Sequence, residues 1–458
     1  MSALDDTIAA IATPLGEGGL AIIRVSGPQA LAVADRVFEP TGRAGIKPSA
    51  APSHTVHFGR ILHQGQPVDE VLLTVLRAPR TYTRQDTVEI SAHGGLLVAR
   101  LVLEAVLQAG ARLAEPGEFT KRAFLNGRID LAQAEAVADL IHSRTELALA
   151  AARAQLAGNL SCQVNSIRDQ LMHVLAHVEA QIDFPEEDIE PETRAQLLNR
   201  LETVLSAMDQ LLQTAREGHI LRHGIRTAII GRPNVGKSSL LNLLLGRDRA
   251  IVSAIPGTTR DTIEETANIR GLPVVLIDTA GLRPAGDPIE AEGIRRSRQA
   301  LAQAELVLLM FDASEPFTHE DQRFAAEAAG RPRIVVCNKI DLPRRLELPP
   351  ELAAGAVQIS CLTHQGIESL KDAIKAAVWT GSPRPEAAPV AINARHQDAL
   401  RRGREAAQRA LDALGQDLPL ELVAADLRSA TQAVGEIVGQ TATADLLDLI
   451  FSQFCIGK

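Results

Sequence analysis

A glycine-rich segment at residues 231–238 has the spacing Gly-x-x-x-x-Gly-Lys-Ser. A β-like run at residues 226–230 precedes it, and a helical run at residues 239–244 follows it. In this strand, loop and helix context, glycines let the backbone wrap around phosphates, and the first helical amides supply partial positive charge. We expect Lys237 to contact the β- and γ-phosphate oxygens and the Ser238 hydroxyl to ligate Mg²⁺. The segment therefore predicts a nucleotide phosphate-binding loop.

A second apolar run, at residues 334–337, ends in Asn338-Lys339-Ile340-Asp341. The Asp341 carboxylate can accept hydrogen bonds from both N1 and the exocyclic amino group of guanine, a pair of donors that adenine lacks. Because an unmatched buried polar group costs kcal/mol, this carboxylate predicts specificity for GTP. Ser360-Cys361-Leu362 follows a strand-like run at residues 356–359 and is expected to place a backbone amide against guanine O6.

Two further segments are predicted to sense the γ-phosphate. The apolar run at residues 274–277 ends in Asp278-Thr279-Ala280-Gly281, where a carboxylate can hold the Mg²⁺ shell and a glycine amide can contact the γ-phosphate. Residues 257–261, Gly-Thr-Thr-Arg-Asp, predict a switch I loop. Within it, Thr259 would supply a second protein ligand to Mg²⁺ when GTP is bound.

The apolar pattern indicates a larger, mainly helical chain around this loop. At 458 residues the chain exceeds the length of about 250–300 residues at which single cores split into domains. Residues 1–118 alternate short β-like and helical runs, whereas residues 119–217 and 381–458 have the apolar spacing of helices. We therefore predict an α/β P-loop G domain at 218–380, inserted in an all-helical domain and preceded by a small α+β N-terminal domain.

Charge, cysteine content and hydropathy exclude several classes of protein. The net charge of −9 gives no global attraction to nucleic acid. The four cysteines form no Cys-x-x-Cys pair, which argues against a zinc site or a disulfide framework. No apolar run reaches the ~18 residues of a membrane span, and acids near the start do not suit a secretory signal. We expect a cytoplasmic protein with no membrane contact.

The residue after the Asp-x-x-Gly motif is Leu282, where Ras-like GTPases use a glutamine to orient the attacking water. An apolar side chain cannot orient water, so another group must do so. The acids that follow are Asp287, Glu290 and Glu292. Together with Asn234 and residues 257–261, Leu282 resembles the potassium-activated branch of translation-factor-like GTPases. That resemblance implies that K⁺ takes the electrostatic place of an arginine finger.

Motifs outside the G domain are more specific, and they extend over nearly the whole chain. They are Ala12-Thr13-Pro14 with Gly18-Gly19, His93-Gly94-Gly95, Pro116-Gly117-Glu118-Phe119, Arg122-Ala123-Phe124-Leu125-Asn126, Asp130-Leu131-Ala132-Gln133-Ala134-Glu135 and Phe454-Cys455-Ile456-Gly457-Lys458. With them the chain resembles the MnmE (TrmE) family of tRNA uridine-modifying GTPases. The resemblance implies a homodimer that works with a flavin-containing partner, MnmG (GidA). Together they would install a carboxymethylaminomethyl-type group, or its aminomethyl variant, at C5 of the wobble uridine of tRNA.

The same resemblance implies a folate site in the N-terminal domain, with formyl- or methylene-tetrahydrofolate as the one-carbon source. The positions that match the family's folate contacts are Arg24, Glu89, Arg128 and Lys458. A carboxylate such as Glu89 suits the amide-like edge of a pterin, and cations suit the glutamate tail of a folate. Without the resemblance, surface ion pairs would be the alternative interpretation of these residues.

The motifs and the resemblance together define the metal and nucleotide sites. Mg²⁺ is assigned to Ser238 and Thr259, and Glu290 to positioning the hydrolytic water, the alternative being an exposed acid at a helix start. The implied K⁺ ligands are Asn234, Ser253, Ile255 and Thr258. The predicted GTP-binding residues are Asn234, Val235, Gly236, Lys237, Ser238, Ser239, Ser253, Thr258, Thr259, Asp278, Thr279, Ala280, Gly281, Asn338, Lys339, Asp341, Ser360 and Cys361.

The C-terminal motif places a thiol, Cys455, close to the chain end. We hypothesise that Cys455 is catalytic, acting in the modification chemistry near the one-carbon unit, while Glu290 is catalytic in GTP hydrolysis. A buried structural cysteine is the alternative, since a free Cys behaves as a small hydrophobe. Gly457 and Lys458 do not suit a prenylation signal.

Two other functions are compatible with a G domain. A regulatory or ribosome-assembly GTPase would act as a switch without modification chemistry, but such proteins typically carry a second G domain or an RNA-binding module. This chain has no second Gly-x-x-x-x-Gly-Lys-Ser/Thr motif. A folate-dependent one-carbon enzyme regulated by its G domain is the other alternative, and residue patterns alone do not separate it from tRNA modification.

Overall fold

The computed structural model describes residues 5–41, 45–183, 193–248, 264–277, 301–379 and 390–458. The chain divides into two compact units. The first comprises Met1–Ala138, Ser161–Met172 and Leu427–Lys458, and the second comprises Asp139–Leu160 and His173–Asp426. The three domains predicted above, with their boundaries, stay a prediction. Within the described ranges, every helix is too short or too polar to cross a membrane.

The first unit contains a seven-stranded sheet. In chain order its elements are β1 (Ile8–Ile11), β2 (Leu20–Ser26), α1 (Ala30–Val37), β3 (Phe38–Pro40), β4 (Thr55–His63), β5 (Gln66–Leu76), β6 (Thr87–His93), α2 (Leu96–Gln108) and β7 (Arg112–Leu113). The strand order is β3-β4-β5-β6-β2-β1-β7, and only β1 and β7 pair in parallel. The α+β prediction is confirmed, although the apolar pattern does not predict β1, β3 or β7.

Apolar side chains alternate along the central strands and bury one face of this sheet. Ile23 on β2 and Ile90 on β6 are fully buried, in one cluster with Val33 of α1 and Val102 of α2. Each buried side chain of this size stabilises the fold by about 1.5–3 kcal/mol. The register of β2 against β6 places Arg24 directly opposite Glu89. The sheet therefore brings together two residues that are far apart in sequence.

Further helices complete the first unit. After the sheet come α3 (Glu118–Leu125) and α4 (Leu131–His142). Side chains of α4 and of the C-terminal segment form a small apolar cluster, whose buried members are Leu131, Ala134, Ile450, Phe451 and Phe454. This cluster attaches the C-terminal segment to the N-terminal part of the unit.

The helices that precede the G domain are α5 (Glu146–Leu156), α6 (Asn159–Asp183), α7 (Arg194–Gln213) and α8 (Ala215–His223). Apolar residues every three or four positions predict that one face of α6 is buried, and Leu160, Val164, Ile167, Leu171, Val174 and Val178 are buried, whereas Ile182, also predicted, is half-buried. The Thr193 hydroxyl and the Gln196 side chain form a capping box at the start of α7, which satisfies backbone amides that lack helical acceptors. The run Phe184-Pro185-Glu186-Glu187, whose proline and acids predict a helix boundary, lies outside the described residues.

A second, six-stranded sheet forms the G domain. Its elements are β8 (Ile225–Ile230), α9 (Lys237–Asp248), β9 (Glu264–Ile269), β10 (Leu272–Ile277), β11 (Leu306–Asp312), α10 (His319–Glu327), β12 (Arg333–Asn338), α11 (Pro350–Ala353), β13 (Val357–Gln358) and α12 (Ile367–Val378). The order is β13-β12-β11-β8-β10-β9, with only β9 antiparallel to its neighbour. Loops after β8 and β12 therefore share one edge of the sheet, where ligands bind in such folds.

The chain then returns to helices, namely α13 (Ala394–Gly415), α14 (Leu420–Val438) and α15 (Ala444–Phe451). On α13, Arg404 Nη2 donates to Oδ2 of Asp209 on α7 at 3.1 Å. At the other end of α7, Arg194 Nε donates to Leu414 O at 2.7 Å. Helices from both sides of the G domain thus pack together, and the predicted insertion of an α/β domain into a helical one is confirmed.

Candidate functional site

The predicted phosphate-binding loop joins the end of β8 to the start of α9. Asn234 and Gly236 have left-handed φ values of 65° and 104°. A Cβ atom on Gly231 would lie 2.3 Å from Met310 O, and one on Gly236 would lie 2.3 Å from Asn338 Nδ2. Only glycine lets the loop pass this close to the ends of the neighbouring strands.

The Lys237 ammonium lies within the same loop. Its Nζ donates to Gly231 O at 2.8 Å and to Arg232 O at 2.6 Å. Burial lowers the pKa of Lys237, and the Glu320 carboxylate opposes that shift. The loop carbonyls hold this partly desolvated cation beside the first amides of α9, where a phosphate group would find opposite charge. Ser238 is exposed at the same helix start.

Asn338 connects the phosphate-binding loop with both parts of the predicted guanine site. Its Nδ2 donates to Val235 O at 2.8 Å, and its Oδ1 accepts a hydrogen bond from Cys361 N at 3.0 Å. The Asn338 side chain is buried, so these bonds form away from competing water. Three motifs, the first of which lies more than a hundred residues before the other two, therefore meet at one side chain.

The remaining residues of the guanine motif are also held in place. Ser360 Oγ donates to Asp341 Oδ1 at 2.5 Å and accepts from Thr363 N at 3.1 Å, which orients the exposed Asp341 carboxylate. Lys339 Nζ forms an ion pair with Asp312 Oδ2 at 2.5 Å. Burial and the nearby Asp341 charge raise the pKa of Cys361 to about 11, so its thiol stays neutral near pH 7.

Several predicted residues of the nucleotide site lie outside the described residues. They are Ser253, Ile255, Thr258, Thr259, Asp278, Thr279, Ala280, Gly281 and Glu290. The described members lie at the carboxyl ends of β8, β12 and β13, in the loops that follow these strands or in the residues that border those loops, with Asn338 ending β12 and Lys237 beginning α9. They are Asn234, Val235, Gly236, Lys237, Ser238, Ser239, Asn338, Lys339, Asp341, Ser360 and Cys361.

A second cluster of predicted residues lies in the first unit, on β2 and β6. Arg24 Nε donates to Glu89 Oε1 at 2.8 Å, and Arg24 Nη1 donates to Gly457 O at 3.2 Å. The Arg24 guanidinium also lies 5.6 Å from the centre of the Phe119 ring. Arg24 therefore joins the sheet, α3 and the chain terminus.

Arg128 extends this cluster past Tyr82. Its guanidinium lies 4.8 Å from the centre of the Tyr82 ring, and its Nη1 donates to Thr81 O at 3.1 Å. Tyr82 OH is 3.0 Å from Thr120 Oγ1. Burial raises the pKa of Tyr82, although the charges of Arg128 and Arg24 act against that rise. Both arginines thus lie near one tyrosine, which the residue patterns do not single out.

The C-terminal segment folds against β1. Gly457 is buried with a φ of 94°, and a Cβ atom there would lie 2.4 Å from Ile11 O. Cys455 O accepts hydrogen bonds from Gly117 N at 3.4 Å and from Lys458 N at 3.3 Å. The Cys455 side chain is exposed, which contradicts the alternative of a buried structural thiol. The chain end therefore places Cys455 and Lys458 next to the carbonyl that Arg24 contacts.

A buried ion network beneath this cluster is absent from the sequence predictions. Arg122 is 1% exposed, and its Nη2 contacts Glu118 Oε1 at 2.8 Å and Asp6 Oδ1 at 2.5 Å. Arg112 Nη2 contacts the same Glu118 oxygen at 2.7 Å. The only sequence signal is the four-residue spacing of Glu118 and Arg122 on one helix. The network fixes α3, which carries Phe119.

Two family models match the chain in complementary ranges. The model described as "GTP-binding protein TrmE N-terminus" matches residues 7–128, and the one described as "MnmE helical domain" matches residues 131–455. The second match begins before the P-loop sheet and ends after it.

Several curated proteins are similar to this chain along nearly the whole length of both sequences. The chain is 50% identical over 460 residues to the tRNA modification GTPase MnmE of Chloroflexus aurantiacus, covering 99% of this chain and 100% of that protein. It is 49% identical to the MnmE of Geobacillus kaustophilus, covering 99% of each. The MnmE of Bacillus subtilis is 46% identical, over 99% of this chain and 100% of that protein.

Proposed function

Since the chain belongs to the MnmE family of tRNA modification GTPases, we propose that its GTP hydrolysis drives modification of C5 of the wobble uridine in tRNA. The reaction would add a carboxymethylaminomethyl-type group, together with a flavin-containing MnmG (GidA) partner and with a tetrahydrofolate one-carbon unit. A tRNA substrate makes the cytoplasm the proposed location. The observation that carries the proposal is the meeting of Arg24, Glu89 and the C-terminal segment in a chain that also has a guanine nucleotide site.

The residues of the G domain divide the work of binding GTP. Lys237 and the first amides of α9 would attract the phosphates, and Asp341 would accept both guanine donors. Asn338 holds the phosphate-binding loop and the guanine-binding segment together, because it donates to Val235 O and accepts from Cys361 N. Mg²⁺, when bound at Ser238, would neutralise phosphate charge. The donor set fits, because an exposed hydroxyl follows a lysine at a helix start.

The hydrolytic step needs groups other than a glutamine after the Asp-x-x-Gly motif, because Leu282 occupies that position. We assign the positioning of water to Glu290 and the binding of K⁺ to Asn234, Ser253, Ile255 and Thr258. The left-handed backbone and exposed side chain of Asn234 support its part in this assignment. A homodimer with facing G domains would shield the two sites from bulk water while each keeps its hydrolytic water.

The residues of the first unit fit a folate. The Glu89 carboxylate offers two acceptors for a pterin edge, and Arg24 fixes its orientation. Arg128 and Lys458 add positive charge for the folate carboxylates, and the aromatic rings of Tyr82 and Phe119 lie against the two arginines. Tetrahydrofolate, when bound, would supply the one-carbon unit. The exposed Cys455 thiol is two residues from the Gly457 carbonyl that Arg24 contacts, which supports a role for Cys455 near that unit.

Nucleoside mass spectrometry of tRNA from a deletion strain tests the proposal. Complementation with the wild type should restore the wobble modification, whereas Glu89→Gln should not, although the purified variant should hydrolyse GTP at the wild-type rate. Glu104→Gln is the matched control, because Glu104 also pairs with an arginine at 2.8 Å on the surface of the same unit. It should restore modification fully.

Two results would contradict the proposal. A deletion strain that kept the modification would reject the function, and restoration by Glu89→Gln would reject the folate site.

A further inference from the structure

An open cavity of about 520 Å³ lies beside Tyr82 and Arg128 in the first unit. Its volume is within the range of about 300–1,000 Å³ that is typical of small-molecule sites. Arg80, Arg84 and Arg128 line it, together with His54, and no Asp or Glu of the described chain does. We call this site the arginine cavity. Its charge suits a small ligand with several anionic groups.

Two of the three guanidinium groups donate hydrogen bonds to backbone carbonyl groups. Arg128 Nη1 donates to Thr81 O at 3.1 Å, and Arg84 Nη1 donates to Asn126 O at 2.9 Å. Each of these bonds uses one of the five N–H donors of an arginine. Arg80 and Arg84 are exposed at the rim, so they can meet a ligand without a large desolvation cost. A guanidinium fork matches a carboxylate with two parallel hydrogen bonds.

Arg128 belongs both to the arginine cavity and to the folate cluster. Its guanidinium lies on the Tyr82 ring, and Tyr82 OH is 3.0 Å from Thr120 Oγ1. Thr120 directly follows Phe119, whose ring is in contact with Arg24, the residue paired with Glu89. A folate with its pterin near Glu89 and its glutamate near Arg128 would have the arginine cavity at its distal end. Cellular folates commonly carry further glutamates in γ-linkage, and each adds one carboxylate.

We propose that Arg80 and Arg84 bind the carboxylates of additional γ-linked glutamates on a tetrahydrofolate, so that the protein prefers polyglutamylated folate. This inference rests on the folate site proposed above. An open site of this size, with three arginines close together, suits a short oligocarboxylate. A tRNA backbone, in contrast, is generally bound by an extended basic stripe.

Calorimetric titration of the full-length protein with formyl-tetrahydrofolate, as monoglutamate and as triglutamate, tests the inference. The wild type should bind the triglutamate about tenfold more tightly, since two exposed ion pairs contribute modestly. Arg80→Gln/Arg84→Gln should lose this preference while its affinity for the monoglutamate stays unchanged, which also shows that the variant is folded. Higher salt should reduce the preference in the wild type.

The control is Arg60→Gln/Arg100→Gln, which removes the same charge from two exposed arginines of the same unit and should keep the preference. Arg80→Gln alone should lose part of it without disturbing the Arg84 bond to Asn126 O.

Three outcomes would overturn the inference. Equal affinity of the wild type for both ligands rejects the arginine cavity and leaves the folate site standing. If neither the monoglutamate nor the triglutamate binds, the folate site and the inference are both rejected. Weaker tRNA binding by the Arg80/Arg84 variant, with the triglutamate preference intact, assigns the cavity to phosphate instead.

Discussion

Replacing Asp341 by Asn is expected to change base specificity from guanine towards xanthine. Ser360 Oγ donates to Asp341 Oδ1 at 2.5 Å, and the carbonyl oxygen of an Asn can accept the same bond, so the loop should keep its conformation. The other carboxylate oxygen becomes an NH₂ donor, which would face the guanine amino group. The bond to the amino group becomes a donor–donor contact and the acceptor of N1–H becomes neutral, which together should lower GTP affinity by about 3 kcal/mol, roughly 100-fold.

Competition binding of GTP against xanthosine triphosphate measures this change. The xanthine base has an acceptor at O2, so the Asp341→Asn protein should prefer it. Ser360→Ala is the matched control, because it removes the hydroxyl that orients the carboxylate but keeps the carboxylate itself. It should weaken GTP binding by only about fivefold and keep the preference for GTP. If the Asp341→Asn protein still bound GTP more than about tenfold (~1.4 kcal/mol) more tightly than xanthosine triphosphate, the assignment of Asp341 would be refuted.

GTP hydrolysis should be faster in K⁺ than in Na⁺ buffer, and Glu290→Ala should lower kcat by about 10²–10⁴-fold with little change in nucleotide affinity. Equal rates in the two salts and full activity of the variant would contradict both expectations. Cys455→Ser should hydrolyse GTP normally but fail to restore tRNA modification in a deletion strain; normal modification would exclude a catalytic role for this exposed thiol. Arg122→Met should lower the free energy of unfolding by about 3 kcal/mol in denaturant titrations, because the buried Glu118 loses one of its two arginine partners; an unchanged midpoint would show that the network adds no stability. Burial alone would raise the pKa of Glu118, but Arg112 and Arg122 hold that pKa below its ordinary value of 4.5. The stabilisation from this ion pair is therefore fully present above pH 4.5, and it is lost as the pH falls through the folded-state pKa. The Tm should therefore fall below about pH 4.5, and less steeply in Arg122→Met; identical pH profiles would contradict the linkage.

The nucleotide site was accessible to sequence reasoning because its chemistry lies in contiguous motifs. Lys237 and Asp341 each lie in a short run after an apolar strand, and Gly231 and Gly236 just before Lys237 indicate a backbone constraint that is local. The helical periodicity of α6 likewise depends only on neighbouring turns, so its buried stripe was predictable. The bond from Asn338 to Val235 O was not, because it depends on the order of the strands in the parallel sheet.

The cluster around Arg24 was decided by the tertiary structure. Its bond to Gly457 O joins residues 433 positions apart, and its pairing with Glu89 depends on the register of β2 against β6. Only the family resemblance connected these residues beforehand, since an arginine and a glutamate without a shared motif resemble any surface pair. Tyr82 acquires its importance from the Arg128 guanidinium stacked on its ring. The sequence by itself determined the residue types, the periodicities and the GTP motifs, which depend on local backbone geometry. Only the tertiary structure decided which distant charges share one low-dielectric neighbourhood, because Coulomb and hydrogen-bond energies depend on distances that sequence separation does not specify.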